Sequence, residues 1–342
     1  MILFISTKKN CRKFEILKKV ILLDIISFSF FITFIIPIKR NKMNQESINK
    51  YRLEEINKRN EININSDINF PDRKCYNFVE NIRIIHLIIT RFLINSFSKE
   101  FPRKFRNRSY NDSYIQNGIR VMKTYLLPSL ENQSCKNFTW IILIGAQANI
   151  TQVNALLNFN NSFEKEIIYQ EDLKNYIRNK SKNFDILIST RIDYDDRIYY
   201  DAVNDVRKAI NINRPMVLHG YNRGLIFYEN LNEYYYFDFT PWRRRGVMSI
   251  FVSLIIVLDK VNDVYTIYDL GVHDKVRKVL LKRHKLFGIK ELNYEPAIFD
   301  SGVPKFVWVR QIFSGWEKSN RKKDKDKRLK VNNFNLKLFY GQ

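Results

Sequence analysis

The sequence predicts an α/β fold on a largely parallel central sheet, and three observations predict it. Apolar runs of strand length recur at 82–92 (IRIIHLIITRF), 138–147 (FTWIILIGAQ) and 184–190 (FDILIST). Segments with apolar residues at helical spacing separate them, so the order is βαβα, which right-handed crossovers turn into a sheet with helices on both faces. After Arg214 the pattern changes to PMVLHGYNRGLIFYENLNEYYYFDF, where alternating aromatics around Gly220 and Gly224 predict a smaller antiparallel part.

Taken in order, the strand at 82–92 ends in the polar pair Thr90-Arg91, and His86 within it reads as core. YIQNGIRVMKTYLLPSLENQ (114–133) keeps helical spacing until Pro128. A helix-like segment at 151–159, a short strand KEIIYQ, and a helix around EDLKNYIRN lead to the strand at 184–190. RIYYDAVNDVRKAI then places Ile198, Ala202, Val206 and Ala209 or Ile210 on one helical face. VMSIFVSLIIVL (247–258) is apolar but short for a membrane span and reads as core. Next come VYTIYDLGVHDKVRKVLLKRH, in which His273 opens a basic amphipathic helix, and PKFVWVRQIFSGW.

The amino-terminal part differs in character. Residues 1–19 form a basic tail, and 20–38 (VILLDIISFSFFITFIIPI) carry a single charge, Asp24, over a length that crosses a bilayer. No small-residue cleavage site follows, so an uncleaved single-pass anchor is expected rather than a signal peptide. Six Lys and Arg precede the span and six follow it closely, which leaves its orientation tied. Residues 39–75 read as a polar stem, 76–317 as the folded body, and 318–342 as a basic tail.

The formal net charge of +23, from 58 Lys and Arg against 35 Asp and Glu, gathers largely at the two ends, as solvated tails do. No zinc spacing or stacked-aromatic RNA motif accompanies it, and no nucleic-acid partner is expected. Cys11, Cys75 and Cys135 make neither a disulfide framework nor a metal site; one bridge at most is available, and the compartment stays open. The Asn-x-Ser/Thr sequons, among them Asn137 and Asn179, support lumenal exposure only faintly in an Asn-rich chain.

Against this basic background, Asp193, Asp195 and Asp196 crowd the turn that follows the strand at 184–190. Three carboxylates so close repel one another unless water or a cation neutralises them. A strand-to-helix turn lies at the carboxyl edge of an open sheet, where ligands bind. A DxD pair there suits a divalent ion and a ribose hydroxyl, hence nucleotide chemistry; a solvated loop capping the next helix is the plain alternative.

The series HLIITRF, LLPSLENQSCKNFTWIILI and FDILISTRIDYDD resembles the rhamnosyltransferase family, whose members carry a strand ending in TRF, a TLPSL helix before a phenylalanine-tryptophan strand, and a TRLDNDD turn. The likeness runs from Ile82 to Trp316, with Ile192 and Tyr194 departing from the turn's pattern. It implies a GT-A type fold, with a nucleotide-sugar half before an acceptor half, and metal-dependent glycosyl transfer using Mn2+ or Mg2+. On that resemblance, Asp193 meets ribose or metal, Asp195 the metal, and Asp196 a metal or supporting role. Thr90 and Arg91 line the nucleotide pocket, and Arg191 sits beside the diphosphate. Gly271-Val272-His273 corresponds loosely to a glycine-histidine stretch, which makes His273 a further metal ligand. Trp308 agrees with the family, whereas Phe313 and Trp316 stand where histidine and asparagine are expected.

For an inverting transfer, the candidate bases are Glu229, Glu233, Asp238 and Asp269, with Asp269 chosen because it precedes His273. Arg243, Arg244 and Arg245 are basic enough to hold a diphosphate, and a solvated loop competes with that reading. The expected activity is transfer of a sugar, rhamnose by the family's label, from a nucleotide sugar to a glycan or glycoprotein at a membrane, of Golgi type if the chain is eukaryotic. The rivals are a nucleotidyl- or phosphotransferase using the same acids, and a degenerate, membrane-tethered glycan-binding protein.

Overall fold

The computed structural model describes residues 74–76, 81–92, 112–145, 148, 151, 154, 156, 158–159, 161–238, 251–270, 276, 279–280, 297–299, 304–310 and 330–331. The chain divides into two units, Met1–Ser66 and Asp67–Gln342, and every described residue lies in the second. The expected anchor at 20–38, both basic tails (apart from 330–331) and nearly all of the stem fall outside the described residues. So do His273, Arg243 to Arg245, Phe313, Trp316 and much of the helix expected at 151–159. Among the described residues no helix is long and apolar enough to cross a membrane.

The apolar runs form the expected strands. β1 is Ile84–Arg91. Helix α1, Asp112–Val121, passes through a π turn, Met122–Leu126, into α2, Leu127–Glu131. Pro128 falls in the first turn of α2, where a missing amide hydrogen costs least, so the helix continues past it. Then come β2 (Thr139–Ile144), β3 (Glu164–Tyr169), α3 (Leu173–Ser181) and β4 (Ile186–Arg191). β5 (Arg197–Ile198) and α4 (Ala202–Lys208) follow the acidic turn. β6 (Met216–Tyr221), β7 (Arg223–Tyr228), β8 (Glu233–Asp238) and β9 (Val252–Val257) lead to two 3-10 turns, Leu258–Lys260 and Ile267–Leu270. β10 (Ala297–Phe299), β11 (Phe306–Arg310) and β12 (Lys330–Val331) complete the described elements.

Seven strands make the central sheet in the order β10-β6-β9-β4-β1-β2-β3. All neighbours are parallel except β9, which runs antiparallel to both β4 and β6. The molecule is thus a mixed α/β structure on a mostly parallel sheet. Strand alternation loads both faces. Ile88, Trp140, Ile142 and Ile188 pack with Ile119, Leu126 and Leu130 of α1, the π turn and α2, and with Val206 of α4. Leu87, Ile89, Ile141 and Leu187 pack with Leu173 and Ile177 of α3 on the other side. Each such side chain contributes about 1.5–3 kcal/mol when fully buried.

The second sheet, β12-β8-β7-β11-β5, is mixed rather than purely antiparallel, because β11 joins β7 in parallel. It also corrects the helix expected from Arg197. Residues 197–198 pair antiparallel with Val307 and Phe306, so the helix starts only at Ala202. A partner more than a hundred residues away in sequence overrides the local helical period here.

Gly224 faces the fully buried Phe306, and a Cβ built on it would lie 2.2 Å from the ring. Gly224→Ala is therefore expected to destabilise the protein by about 1–3 kcal/mol through overpacking, measured as a lower urea midpoint. An unchanged midpoint would show that the ring yields freely.

Candidate functional site

The carboxyl ends of β1 and β4 bring Arg91 and Arg191 to one edge of the sheet. In the β1–β4 register Ile89 pairs with Arg191, and Arg91 stands two residues beyond Ile89 on the same face. The 3-10 turn Ile267–Leu270 covers that face. Its Ile267 amide donates to Ser189 Oγ at 2.9 Å, and Tyr268 OH donates to the Ile89 carbonyl at 3.1 Å. The same carbonyl accepts the Ile192 amide at 3.1 Å, so a single oxygen ties together β1, the start of the acidic turn and the 3-10 turn. The guanidinium carbons of Arg91 and Arg191 lie 5.1 and 5.3 Å from the Tyr268 ring centroid. Two cations sharing one aromatic ring is a cation–π arrangement that holds both near a common point.

Arg191 is buried, and its Nη2 lies 3.2 Å from Asp193 Oδ1, with Nε at 3.3 Å. Burial opposes its charge, but Asp193, Tyr268 and Asp196 together hold its pKa above the ordinary arginine value. Tyr268 is raised from its usual phenol value by burial, a rise that the charges of Arg191 and Arg91 counter.

The acidic turn is fixed from inside. The Asp196 amide donates to the Asp193 carbonyl at 3.1 Å, closing the bend. Tyr194 packs against two apolar clusters, its ring meeting Phe92 edge-on with centroids 5.4 Å apart. Tyr194, one of the two residues that depart from the TRLDNDD pattern, is thus a packing anchor. Asp193 and Asp195 are partly exposed, whereas Asp196 is 2% exposed. Beyond the turn, Arg197 is buried with its guanidinium carbon 4.4 Å from the Tyr125 ring centroid and its Nη1 3.3 Å from Tyr234 OH.

Thr90 does not share this edge. Adjacent strand residues point to opposite faces, and Thr90 is fully buried, its Oγ1 accepting Trp140 Nε1 at 3.0 Å. Of the pair expected to line a nucleotide pocket, Arg91 reaches the edge beside Arg191 and Thr90 is packed inside the sheet. His86 is core as expected, with Nε2 2.8 Å from Thr190 Oγ1, which in turn lies 2.7 Å from Ser253 Oγ.

Asp269 is exposed beside Tyr268, and its Oδ2 accepts the Thr266 amide at 2.6 Å and the Thr266 hydroxyl at 3.0 Å. Two other carboxylates weighed as bases are engaged elsewhere. Glu229 Oε1 accepts Tyr125 OH at 2.8 Å and Arg120 Nη1 at 3.0 Å. Glu233 takes Tyr235 OH and Lys330 Nζ, each at 2.7 Å. The Asp238 side chain and His273 lie outside the described residues.

Among the described residues no group of three His, Cys, Asp or Glu converges as a metal cage. Of the expected set, Asp193, Asp195 and Asp196 lie on one bend, and His273 lies outside the described residues. Magnesium and manganese sites that complete their shell with water and substrate phosphate need only one or two carboxylates, and Asp193 and Asp195 on one bend meet that smaller requirement.

A cavity of about 520 Å3 lies at the opposite, amino edge of the sheet, lined by His86, Thr139, Glu164 and Lys180 among others. Its charged groups are engaged: Lys180 Nζ bonds Glu164 at 3.1 Å and Glu166 at 2.9 Å, the Thr139 hydroxyl bonds Glu164, and Lys136 pairs with Glu131. The carboxyl edge, where basic and acidic groups converge on a partly open bend, is the better candidate site.

Tyr268 and Arg197 are the members that sequence reasoning missed. Tyr268 sits next to the chosen Asp269, but an aromatic in TIYDL carries no spacing that announces a partner 179 positions away.

Among solved structures, the chain is similar to the inositol-1-phosphate CTP transferase from T. maritima, at 11% identity and a TM-score of 0.28, over 66% of this chain and 85% of that one. It is similar to HddC from Yersinia pseudotuberculosis at 12% identity and a TM-score of 0.27, over 67% and 90%. Superpositions this loose decide nothing about the site. No curated protein matches the sequence. The family comparison is narrower than the stretch from Ile82 to Trp316 over which the resemblance was read, and it takes in Arg91, Arg191 and the acidic turn while stopping short of Asp269 and His273. Residues 89–245 match the family described as "Putative rhamnosyl transferase", which bears out the resemblance read from TRF, LPSL and TRIDYDD.

Proposed function

We propose that this chain is a GT-A type glycosyltransferase that moves a sugar, rhamnose by the family's name, from a nucleotide sugar to a glycan or glycoprotein acceptor. The observation that carries the reading is the convergence of Arg91 and Arg191 on Tyr268, directly beside the Asp193–Asp196 bend. Guanidinium groups fit a diphosphate in a bidentate manner, and a carboxylate on the same bend fits a ribose hydroxyl. Asp193 is paired with Arg191 before donor arrives. A diphosphate competing for that guanidinium frees Asp193 for the ribose or a cation, so the pair acts as a placeholder for the donor.

In the transfer, the acceptor hydroxyl oxygen bonds the anomeric carbon as the bond to the β-phosphate oxygen breaks, and the electron pair leaves with the nucleoside diphosphate. Arg91 and Arg191 bear the developing negative charge. Asp269 remains our proposed proton acceptor, since it stands exposed one residue beyond Tyr268. Asp193 and Asp195, with His273 and Asp196 as further proposed ligands, would hold Mn2+ or Mg2+. Such an ion neutralises charge on the leaving diphosphate.

The test is release of nucleoside diphosphate by the full chain, screened across nucleotide sugars with Mn2+ or Mg2+ and a glycan acceptor. At least one donor is expected to turn over, and Asp195→Asn is expected to keep less than about a tenth of that rate. Pyrophosphate release from a nucleoside triphosphate and a sugar phosphate, with no donor cleaved, would reassign the site to nucleotidyl transfer.

A further inference from the structure

Cys75 and Cys135, separated by 60 residues, are joined in a disulfide with their Cα atoms 4.5 Å apart. The surroundings hold both cysteines in place by other means. Asn204 on α4 accepts the Tyr76 amide at 2.8 Å and donates to the Lys74 carbonyl at 3.1 Å, gripping the peptides on either side of Cys75. The same amide nitrogen donates to the hydroxyl of Ser134, the neighbour of Cys135, at 3.0 Å. Ser134 is tied in turn to the Asp201 carboxylate and, through its amide, to the Tyr200 carbonyl at 2.8 Å. Cys135 is completely buried. Cys75 is half-buried, so thiol–disulfide exchange, which requires a thiolate to reach a sulfur atom, is closed off at the Cys135 sulfur.

From this bridge, half of it buried and both ends of it scaffolded, we propose that the unit Asp67–Gln342 folds on the non-cytosolic side of a membrane, in an oxidising compartment. There the bond permanently fastens the incoming segment at 74–76 to the loop between α2 and β2. Bond formation passes two electrons and two protons from the thiols to a disulfide-bearing oxidoreductase of that compartment, whose own disulfide becomes a dithiol. A cytosolic glutathione pool would leave the pair reduced. None of this depends on the donor or on the transferase reading.

The experiment takes the full chain from membranes of cells that make it, quenched with acid to stop thiol exchange and then unfolded in denaturant. Of its three cysteines, one is expected to take a maleimide–polyethylene glycol tag before reduction and three after it. A carboxyl-terminal tag is expected to survive protease added to sealed, cytosolic-side-out vesicles. Dithiothreitol is expected to lower the thermal midpoint by roughly 5–15 °C. In Cys75→Ser/Cys135→Ser the reductant should move nothing, which separates the bond from a general folding defect. Three taggable thiols before reduction, or digestion of the tag in sealed vesicles, would overturn the proposal.

Discussion

Arg191→Ala is expected to lower kcat/KM for the nucleotide-sugar donor by roughly 10²–10³-fold, comparable to removing a preorganised donor to a developing anion. The effect has two parts. Truncation removes the guanidinium that faces the diphosphate, and it also strips the bend of its internal counter-charge. Asp193 and Asp196 both act on Arg191, so without it the local field turns negative where an anion must bind. Arg191→Lys keeps the charge and loses the fork, and is expected to recover only part of the activity, about tenfold over alanine. The check is a steady-state series on both variants with thermal midpoints alongside. Equal activity in lysine and alanine variants, with equal loss of midpoint, would reduce Arg191 to a structural residue.

The second large effect concerns acid stability. His86 is buried, and burial, with the nearby Arg207 and His219, keeps it from protonating until well below 6.5. Burial, aided by Lys305, lowers His219 to about 3. The sign follows from linkage. Above 6.5 neither imidazole is charged in either state, and the folded state keeps its full stability. As pH falls through the unfolded value the unfolded chain takes up protons that the folded chain refuses, so stability drops. Each histidine that stays neutral in the folded state removes about 1.4 kcal/mol per pH unit once the pH is below the unfolded value. Urea unfolding at several pH values should show this slope, and His86→Gln/His219→Gln should flatten it even from a lower starting stability. A double variant with the same slope as the parent would place the acid sensitivity in other groups.

Much of the fold was legible because its signals are local. β1, β2 and β4 announced themselves as apolar runs too rich in β-branched residues to be anything but strands, and the acidic bend followed from the end of β4. What failed was non-local. Arg197 and Ile198 keep a helical period in sequence, yet β11 claims them as a strand edge. Cys75 and Cys135 are two of three scattered cysteines, and only the fold shows that the start of the body passes behind α4. Strand alternation sets Thr90 and Arg91 on opposite faces, but β1 is apolar on both, and only the packing shows which face each takes. Tyr268 was beyond reach, because its role comes from a short turn packing over two strand ends rather than from any motif.

The account rests on the seat at Arg91, Arg191, Tyr268 and the acidic bend. The measurement that tests it most directly is a crystal of the protein soaked with a nucleoside diphosphate and Mn2+, read by anomalous scattering at the manganese edge. The account predicts a manganese peak against Asp195 or Asp193, with diphosphate oxygens within hydrogen-bond distance of Arg191 or Arg91. Nucleotide bound at the amino-edge cavity, with the Arg191–Asp193 pair intact and no peak at the bend, would contradict it.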